Sequence, residues 1–533
     1  MNFLPASKPW RNALLILFGL FLLSRVLTLA AFPIFNDEAI YLQYAQRIHD
    51  DWQKNKFISM NGEFIDWKPP LIYWMAAPIV TWGDDPLLAG RAVALLISIA
   101  GFFGFYLFAK ELFGEREGVI CTLLYVLCPP VLFHNNQYTA ETFLVSTAPF
   151  LYWALLKAMR REKSGWWIWA VLALLLGTML LLFKQSGFLH LAISVLLPFA
   201  RLRTDENAEM SSTGRYQWKS TALNIALVIV VILGCRMATD AILPSAFDAT
   251  RDRFNSRWVM PASELLRFPI EVWRANLANV ADYIGSYYTW LVAVFFSSFT
   301  WFAFRRKDFS ELALAAMCLA GACGVTFLLR GFNEYLLNTA LIVVLLPLLA
   351  RVAVSLYPSS PLGKAGTLGR RALVTLGAIT LVHWGYQDIL MGISPGRYIE
   401  RSTPWAISHY LKSWSTGFGV KEIVNILETE KRPGVVFSDT QWGNPTTALE
   451  VYGKERFPNL RIQPFTREFL DAAETRKIRD FVLKVKPAHF AVYSADSSGM
   501  RSSWLINVQE QMCDTSREIK AYPSQMPLVF CSF

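Results

Sequence analysis

Apolar runs long enough to cross a bilayer recur through most of this sequence, and no other feature limits its fold as strongly. They lie at residues 12–32, 87–109, 117–134, 142–159, 166–183, 186–200, 221–243, 286–304, 311–329, 336–350 and 372–391. A helix of about twenty apolar residues spans the hydrocarbon core, where every backbone polar group must be paired internally. The expected fold class is an α-helical polytopic membrane protein with about 11 transmembrane helices. The stretch 166–200 reads either as a tight pair of spans or as something less regular. The first run follows Lys8 and Arg11 and is broken only by Arg25. No small-residue cleavage pattern follows it, so it reads as a span and not as a removed signal. Only 17% of residues are charged. That excludes a disordered chain and makes a purely soluble one improbable.

The loops set the orientation. With the N-terminus in the cytoplasm, basic residues gather on that side. They are Lys157, Arg160, Arg161 and Lys163; Arg201, Arg203, Arg215 and Lys219; Arg305, Arg306 and Lys307; and Lys364, Arg370 and Arg371. This is the positive-inside pattern, and it accounts for the net charge of +10 without a nucleic-acid partner. An odd number of spans places residues 392–533 outside, in the periplasmic or extracellular space of an inner (plasma) membrane protein. That tail is soluble in composition. Strand-like runs at Gly434–Phe437, Arg461–Pro464, His489–Tyr493 and Leu528–Cys531 alternate with helical stretches at Lys421–Thr429 and Arg467–Lys486. The chain thus divides into a transmembrane part, 1–391, and a C-terminal soluble α/β domain, 392–533. Cys121, Cys128, Cys235, Cys318 and Cys323 sit in apolar stretches and read as buried. Cys513 and Cys531 could pair in an oxidising compartment.

Polar groups collect at the external ends of the spans. The long first external loop, 33–86, opens with Asn36-Asp37-Glu38 and closes with Asp66-Trp67-Lys68-Pro69-Pro70. A carboxylate at the membrane boundary suits general-base work. The plain alternative is that Asn36 or Asp37 caps the helix that follows, with Glu38 in its first turn. Lys68, stiffened by two prolines, suits a phosphate; the alternative is a snorkelling lysine in an aromatic belt. His134, Tyr138 and Glu141 lie between two spans. Lys184 and Arg330 lie in other external loops. Carboxylates and cations at one membrane face suggest chemistry on a phosphate-bearing lipid, whereas a transport pathway would place charges at mid-span.

The order Asp37-Glu38, Lys68-Pro69-Pro70-Leu71, Tyr73-Trp74, Arg91, Phe113-Gly114, Tyr138…Glu141 and Leu182-Phe183-Lys184 resembles the GT-C glycosyltransferases of the dolichyl-phosphate-mannose–protein mannosyltransferase type. Their bacterial relatives include the aminoarabinose transferase of lipid A and the Rgt-type transferases. The resemblance covers about residues 30–205, and Glu334-Tyr335-Leu336-Leu337 is similar but less specific. It implies an inverting transferase that moves a monosaccharide from a polyprenyl-phosphate donor to a hydroxyl acceptor: glycan, lipid or protein. Asp37 matches the catalytic carboxylate, Glu38 its neighbour, Lys68 the lysine of the Lys-Pro-Pro motif and Glu141 the second acidic position. Tyr138 and Glu141 would orient substrate, and Lys184 or Arg330 would help neutralise the phosphate. A divalent metal held by Asp37 or Glu141, with His134 as a third candidate ligand, stays open. One departure stands out. The aminoarabinose transferases carry an arginine three positions after the first aspartate, and this chain has Ile40. The competing reading is a transporter or flippase for lipid-linked sugars. A catalytically silent assembly protein is a third. Trp405, Trp414, Trp442 and Trp504 could stack on sugars or simply pack the external domain.

Overall fold

The computed structural model describes residues 4–61, 68–160, 164–201, 213–244, 256–289, 309–355, 364–413, 415–438, 443–464, 488–493 and 513–532. Among them, six helices are long and apolar enough to cross a membrane: Lys8–Thr28, Pro86–Phe113, Trp166–Phe183, Trp218–Ile242, Phe309–Leu328 and Glu334–Ser355. Glu115–Leu127 and Pro129–Asn135 add a seventh if this pair, bent by 66°, is one span. Helices also occupy the expected positions at Ala140–Ala158, Gly187–Ile193 and Lys364–Ile393. Most of the expected span 286–304 lies outside the described residues, as do Arg161, Lys163, Arg203, Arg305, Arg306, Lys307, Asp66, Trp67, Trp414, Trp442, Trp504 and the expected helix 467–486.

The bend has a local cause. Pro129 and Pro130 lack the N–H groups that would have bonded the carbonyls of Tyr125 and Val126. Arg25, the charge that interrupts the first span, donates to both, at 2.8 Å to Val126 and 3.3 Å to Tyr125. Its fully buried guanidinium is thereby used to finish a broken helix. Close packing of Pro86–Phe113 on Ala140–Ala158 depends on small residues. A Cβ on Gly101 would sit 2.9 Å from Ser146, and one on Gly104 would sit 2.9 Å from Phe150.

The helices are polar at both ends, with a different pattern at each. At one end Glu111 pairs with Lys157 at 2.6 Å, with Arg201 at 3.3 Å and with Arg160, while Arg351 joins Glu117 at 3.1 Å and Glu311 at 3.0 Å. At the other end of the same helices lie Arg91, Glu141 and Glu334. Cys323, expected to be buried, is exposed. It stands one turn from Leu319 and one turn from Phe327, both also exposed, on the outward stripe of its helix.

The C-terminal domain contains a five-stranded sheet in the order β2-β1-β3-β5-β4, formed by β1 (Gly434–Ser438), β2 (Leu460–Pro464), β3 (Ala488–Tyr493), β4 (Thr515–Ile519) and β5 (Leu528–Ser532). Strand β1 runs parallel to β2 and β3; β5 is antiparallel to β3 and β4. The helix Thr446–Arg456 connects β1 to β2. That helix and strand β4 had no sequence expectation; β4 is exposed along its length and lacks the apolar alternation that marks a strand. Cys513 and Cys531 form a disulfide.

Candidate active site

The helix Asn36–Asp50 begins at the end of the first span and carries both acidic residues in its first turn. Its cap resolves the sequence-level alternatives. Neither Asn36 nor Asp37 caps it; the Glu38 carboxylate accepts the Phe35 N–H at 3.0 Å. The Asn36 side chain instead accepts the backbone N–H of Asn444, at 3.1 Å.

Glu38 is sealed. Its oxygens accept from Arg91 Nε at 2.9 Å and Arg91 Nη2 at 2.7 Å, and from the Tyr138 N–H at 2.7 Å. Both side chains of the Glu38–Arg91 pair are 0% exposed. Arg91 also donates to the carbonyls of Leu29, Phe32 and Pro33, at 2.8–3.0 Å. One ion pair therefore locks the turn between the first span and the Asp37 helix. Sequence reading noted Arg91 only as part of a motif. The signal that marks it is a single arginine opening an apolar span.

Asp37 faces the other way. Lys68 Nζ lies 3.4 Å from its Oδ2, and the two side chains are 16% and 23% exposed, so the pair borders accessible space. Tyr41, one helical turn on, donates to the same oxygen at 3.3 Å and places its ring 4.7 Å from Lys68 Nζ. The Ser59 hydroxyl donates to the Lys68 carbonyl at 2.8 Å and anchors that residue. Burial pushes the Asp37 carboxyl up. Lys68 and Lys184, with bonds from Lys68 and Tyr41, outweigh burial and hold it below its ordinary value. Asp37 is thus an ionised carboxylate between two lysines.

Lys184, at the end of Trp166–Phe183, is hydrogen-bonded to Glu141, which opens Ala140–Ala158. Asp37, Lys68, Glu141 and Lys184 therefore form one charged group, drawn from four chain segments. Arg330 has other partners. Its guanidinium makes a two-pronged pair with Glu264, at 3.0 and 2.7 Å, and donates to the Ser256 carbonyl. Tyr138 is fully buried, and its hydroxyl donates to the Ile72 carbonyl. His134 is buried between the rings of Phe133 and Tyr335. Among the described residues no three His, Cys, Asp or Glu side chains assemble as a metal ligand set.

The C-terminal segment closes the site. Trp405 stacks on His409 with ring centroids 3.8 Å apart, and Tyr335 meets Trp405 edge-on at 4.8 Å. Tyr335 and Tyr410 share a hydrogen bond of 2.7 Å, and Tyr410 donates to Gln137 at 3.1 Å. His409 Nδ1 lies 3.0 Å from the Trp405 carbonyl, which leaves Nε2 as the acceptor of the neutral ring. Burial holds His409 below its ordinary value, against the Trp405 bond and the charge of Asp37. No sequence pattern pointed to His409. Its place beside Asp37 is set by folding alone.

Residues 67–235 match the family model described as dolichyl-phosphate-mannose-protein mannosyltransferase. The whole chain superposes on ArnT from Cupriavidus metallidurans bound to undecaprenyl phosphate, with a TM-score of 0.56 at 15% identity over 98% of each chain. The chain has the GT-C fold. The apo form of the same ArnT gives a TM-score of 0.54 at 14% identity over 97% of each chain. No curated protein matches the sequence. At such identity the GT-C fold is what the two structures share. The family-model match begins one residue before Lys68 and spans Arg91, Glu141 and Lys184.

Proposed function

We propose that this protein is an inverting glycosyltransferase that moves a monosaccharide from a polyprenyl-phosphate donor to a hydroxyl acceptor at the external membrane face. The observation that carries this reading is the ionised, solvent-bordering Asp37 carboxylate held between Lys68 and Lys184. The lipid phosphate bound in the similar ArnT structure supports the donor class. Ile40, in place of the arginine of the aminoarabinose transferases, argues for a different sugar.

In this mechanism Asp37 accepts the proton of the acceptor hydroxyl while the hydroxyl oxygen bonds to the anomeric carbon. The bond from that carbon to the phosphate oxygen breaks, its electron pair leaves with the polyprenyl phosphate, and the configuration inverts. A weakly basic carboxylate suffices, because the hydroxyl becomes acidic only as the new bond forms. Lys68 and Lys184 stabilise the charge on the departing phosphate. A donor phosphate that draws Lys68 away from Asp37 also removes part of what depresses the Asp37 carboxyl. Donor binding therefore raises the basicity of Asp37 when it is needed. Glu38 acts through Arg91 as a positioning residue, and Glu141 orients Lys184. The charge of the phosphate is neutralised by Lys68 and Lys184.

The test follows release of free polyprenyl phosphate from a panel of polyprenyl-phosphate sugars, using purified protein and a membrane extract as acceptor source. Release that needs acceptor and is abolished in Asp37→Asn, with normal membrane insertion, is the expected result. Donor binding without release from any sugar would instead favour the flippase reading.

A further inference from the structure

A second cavity lies away from Asp37, at the Arg401 end of the helix Lys364–Ile393. Its volume is about 310 Å³, and its lining includes Ser286, Thr289, His383, Gln387, Tyr398 and Arg401. Beside it Tyr287 donates to Glu334 at 2.9 Å, and Trp384 donates to the Tyr287 carbonyl at 2.8 Å.

The lining has unspent polar capacity. Gln387 is 8% exposed. Its amide nitrogen is used, on the Ser286 carbonyl at 3.1 Å and on His383 Nε2 at 2.9 Å, but its Oε1 has no partner among the described residues. The buried hydroxyls of Tyr398 and Thr289 also lack partners among those residues. Buried polar atoms are ordinarily paired, so an unpaired acceptor and two unpaired hydroxyls on residues that line one cavity call for a hydroxylated occupant. Arg401 adds a charge. Its guanidinium, exposed at the mouth of the cavity, bonds the Tyr386 hydroxyl, and among the described residues no carboxylate pairs with it. Water would satisfy the neutral groups, and the exposed guanidinium at the mouth adds a preference for an anionic group.

The mouth of the cavity indicates the source of that occupant. Tyr386, at the rim, is half exposed, and Val382, Ile389 and Ile393 on the same helix are 75%, 63% and 80% exposed. Large apolar side chains exposed on a membrane-protein helix face acyl chains. A ligand with its polar head at Arg401 and its tail along this stripe is an amphiphile.

We propose that this cavity binds the hydroxylated phosphate headgroup of an anionic membrane lipid, with the phosphate on Arg401 and headgroup hydroxyls on Gln387 and Tyr398. The proposal does not depend on the transferase reading. Its test is equilibrium binding of the full chain, in nanodiscs of neutral lipid, to phosphatidylglycerol, phosphatidic acid and phosphatidylcholine, with soluble glycerol phosphate as competitor. Wild type prefers phosphatidylglycerol over phosphatidylcholine roughly tenfold. Arg401→Gln abolishes the preference, and Arg401→Lys, which keeps the charge, retains most of it. Gln387→Leu lowers affinity for phosphatidylglycerol but not for phosphatidic acid, which has no headgroup hydroxyl. Equal binding of the charged and neutral lipids, or a preference untouched by Arg401→Gln while Arg401→Lys folds normally, overturns the proposal. Displacement of the lipid by millimolar glycerol phosphate overturns the lipid as the source.

Discussion

Asp37 and Glu38 are adjacent in sequence, chemically alike, and opposite in role. Glu38 is spent on Arg91 and two backbone N–H groups in a site without solvent. Glu38→Gln leaves a buried guanidinium without its counter-charge. The expected cost is about 3–5 kcal/mol, seen as loss of a monodisperse, thermally stable species in detergent. Asp37→Asn should leave that stability unchanged and remove turnover. If both variants fold and both lose turnover alike, Glu38 touches the reaction after all. The pH dependence of kcat/KM gives a second residue-scale check. In the proposed mechanism the base is the Asp37 carboxylate, present above its pKa and lost as pH falls. Because the lysines hold Asp37 below its ordinary 3.8, the acid limb of the wild type lies below that pH. Lys68→Ala removes a positive neighbour, raises the carboxyl pKa and moves the acid limb to higher pH. An unmoved limb would assign it to another group.

The first turn of the Asp37 helix is held from outside the membrane part. Asn444, buried in the C-terminal domain, donates its side-chain N–H groups to the carbonyl of Ile34 at 2.9 Å and to that of Thr416 at 3.1 Å. Its backbone N–H reaches Asn36. On the same stretch, a Cβ at Gly417 would stand 1.8 Å from the Ile34 carbonyl oxygen, so glycine is required there for close approach. Further along, Gln46 donates to the Val451 carbonyl at 3.0 Å and Lys454 pairs with Asp50 at 2.6 Å. The C-terminal domain therefore does more than wait for an acceptor. It fixes the element that carries Asp37. Asn444→Ala and Gly417→Ala should lower kcat at least tenfold with donor affinity little changed. Separate measurement of donor binding and single-turnover rate checks this, and a loss confined to donor affinity would contradict it.

At the scale of the whole molecule, the disulfide between Cys513 and Cys531 closes a loop with a sequence separation of 18. A cross-link over a loop of that size contributes about 3 kcal/mol. Reduction, or Cys513→Ser, should lower the thermal stability of the C-terminal domain by that order, read by unfolding scans with and without reductant. If the domain lies in an oxidising compartment, as proposed, the bond forms in cells without added oxidant, and a thiol-reactive probe applied after reduction labels it from outside. In an Arg160→Cys variant, labelling of the new thiol by the same probe should require permeabilised membranes.

The sequence alone determined much of this architecture. Solvation is a local property, so apolar runs report helices one by one, and four of the five strands overlap runs that read as strand-like. The residues of the charged group were also legible, because Asp37, Lys68, Glu141 and Lys184 each fall in an external loop or at its border with a span. Their division of labour was not. Sequence could not tell Asp37 from Glu38, since which of two neighbouring carboxylates is sealed depends on Arg91, more than fifty residues away. Nor could it show that Arg330 belongs with Glu264, that the Tyr138 hydroxyl is spent on Ile72, or that His409 and Asn444 join the site. Ion pairing and hydrogen bonding depend on distance in space, and only the packing of distant segments sets that distance.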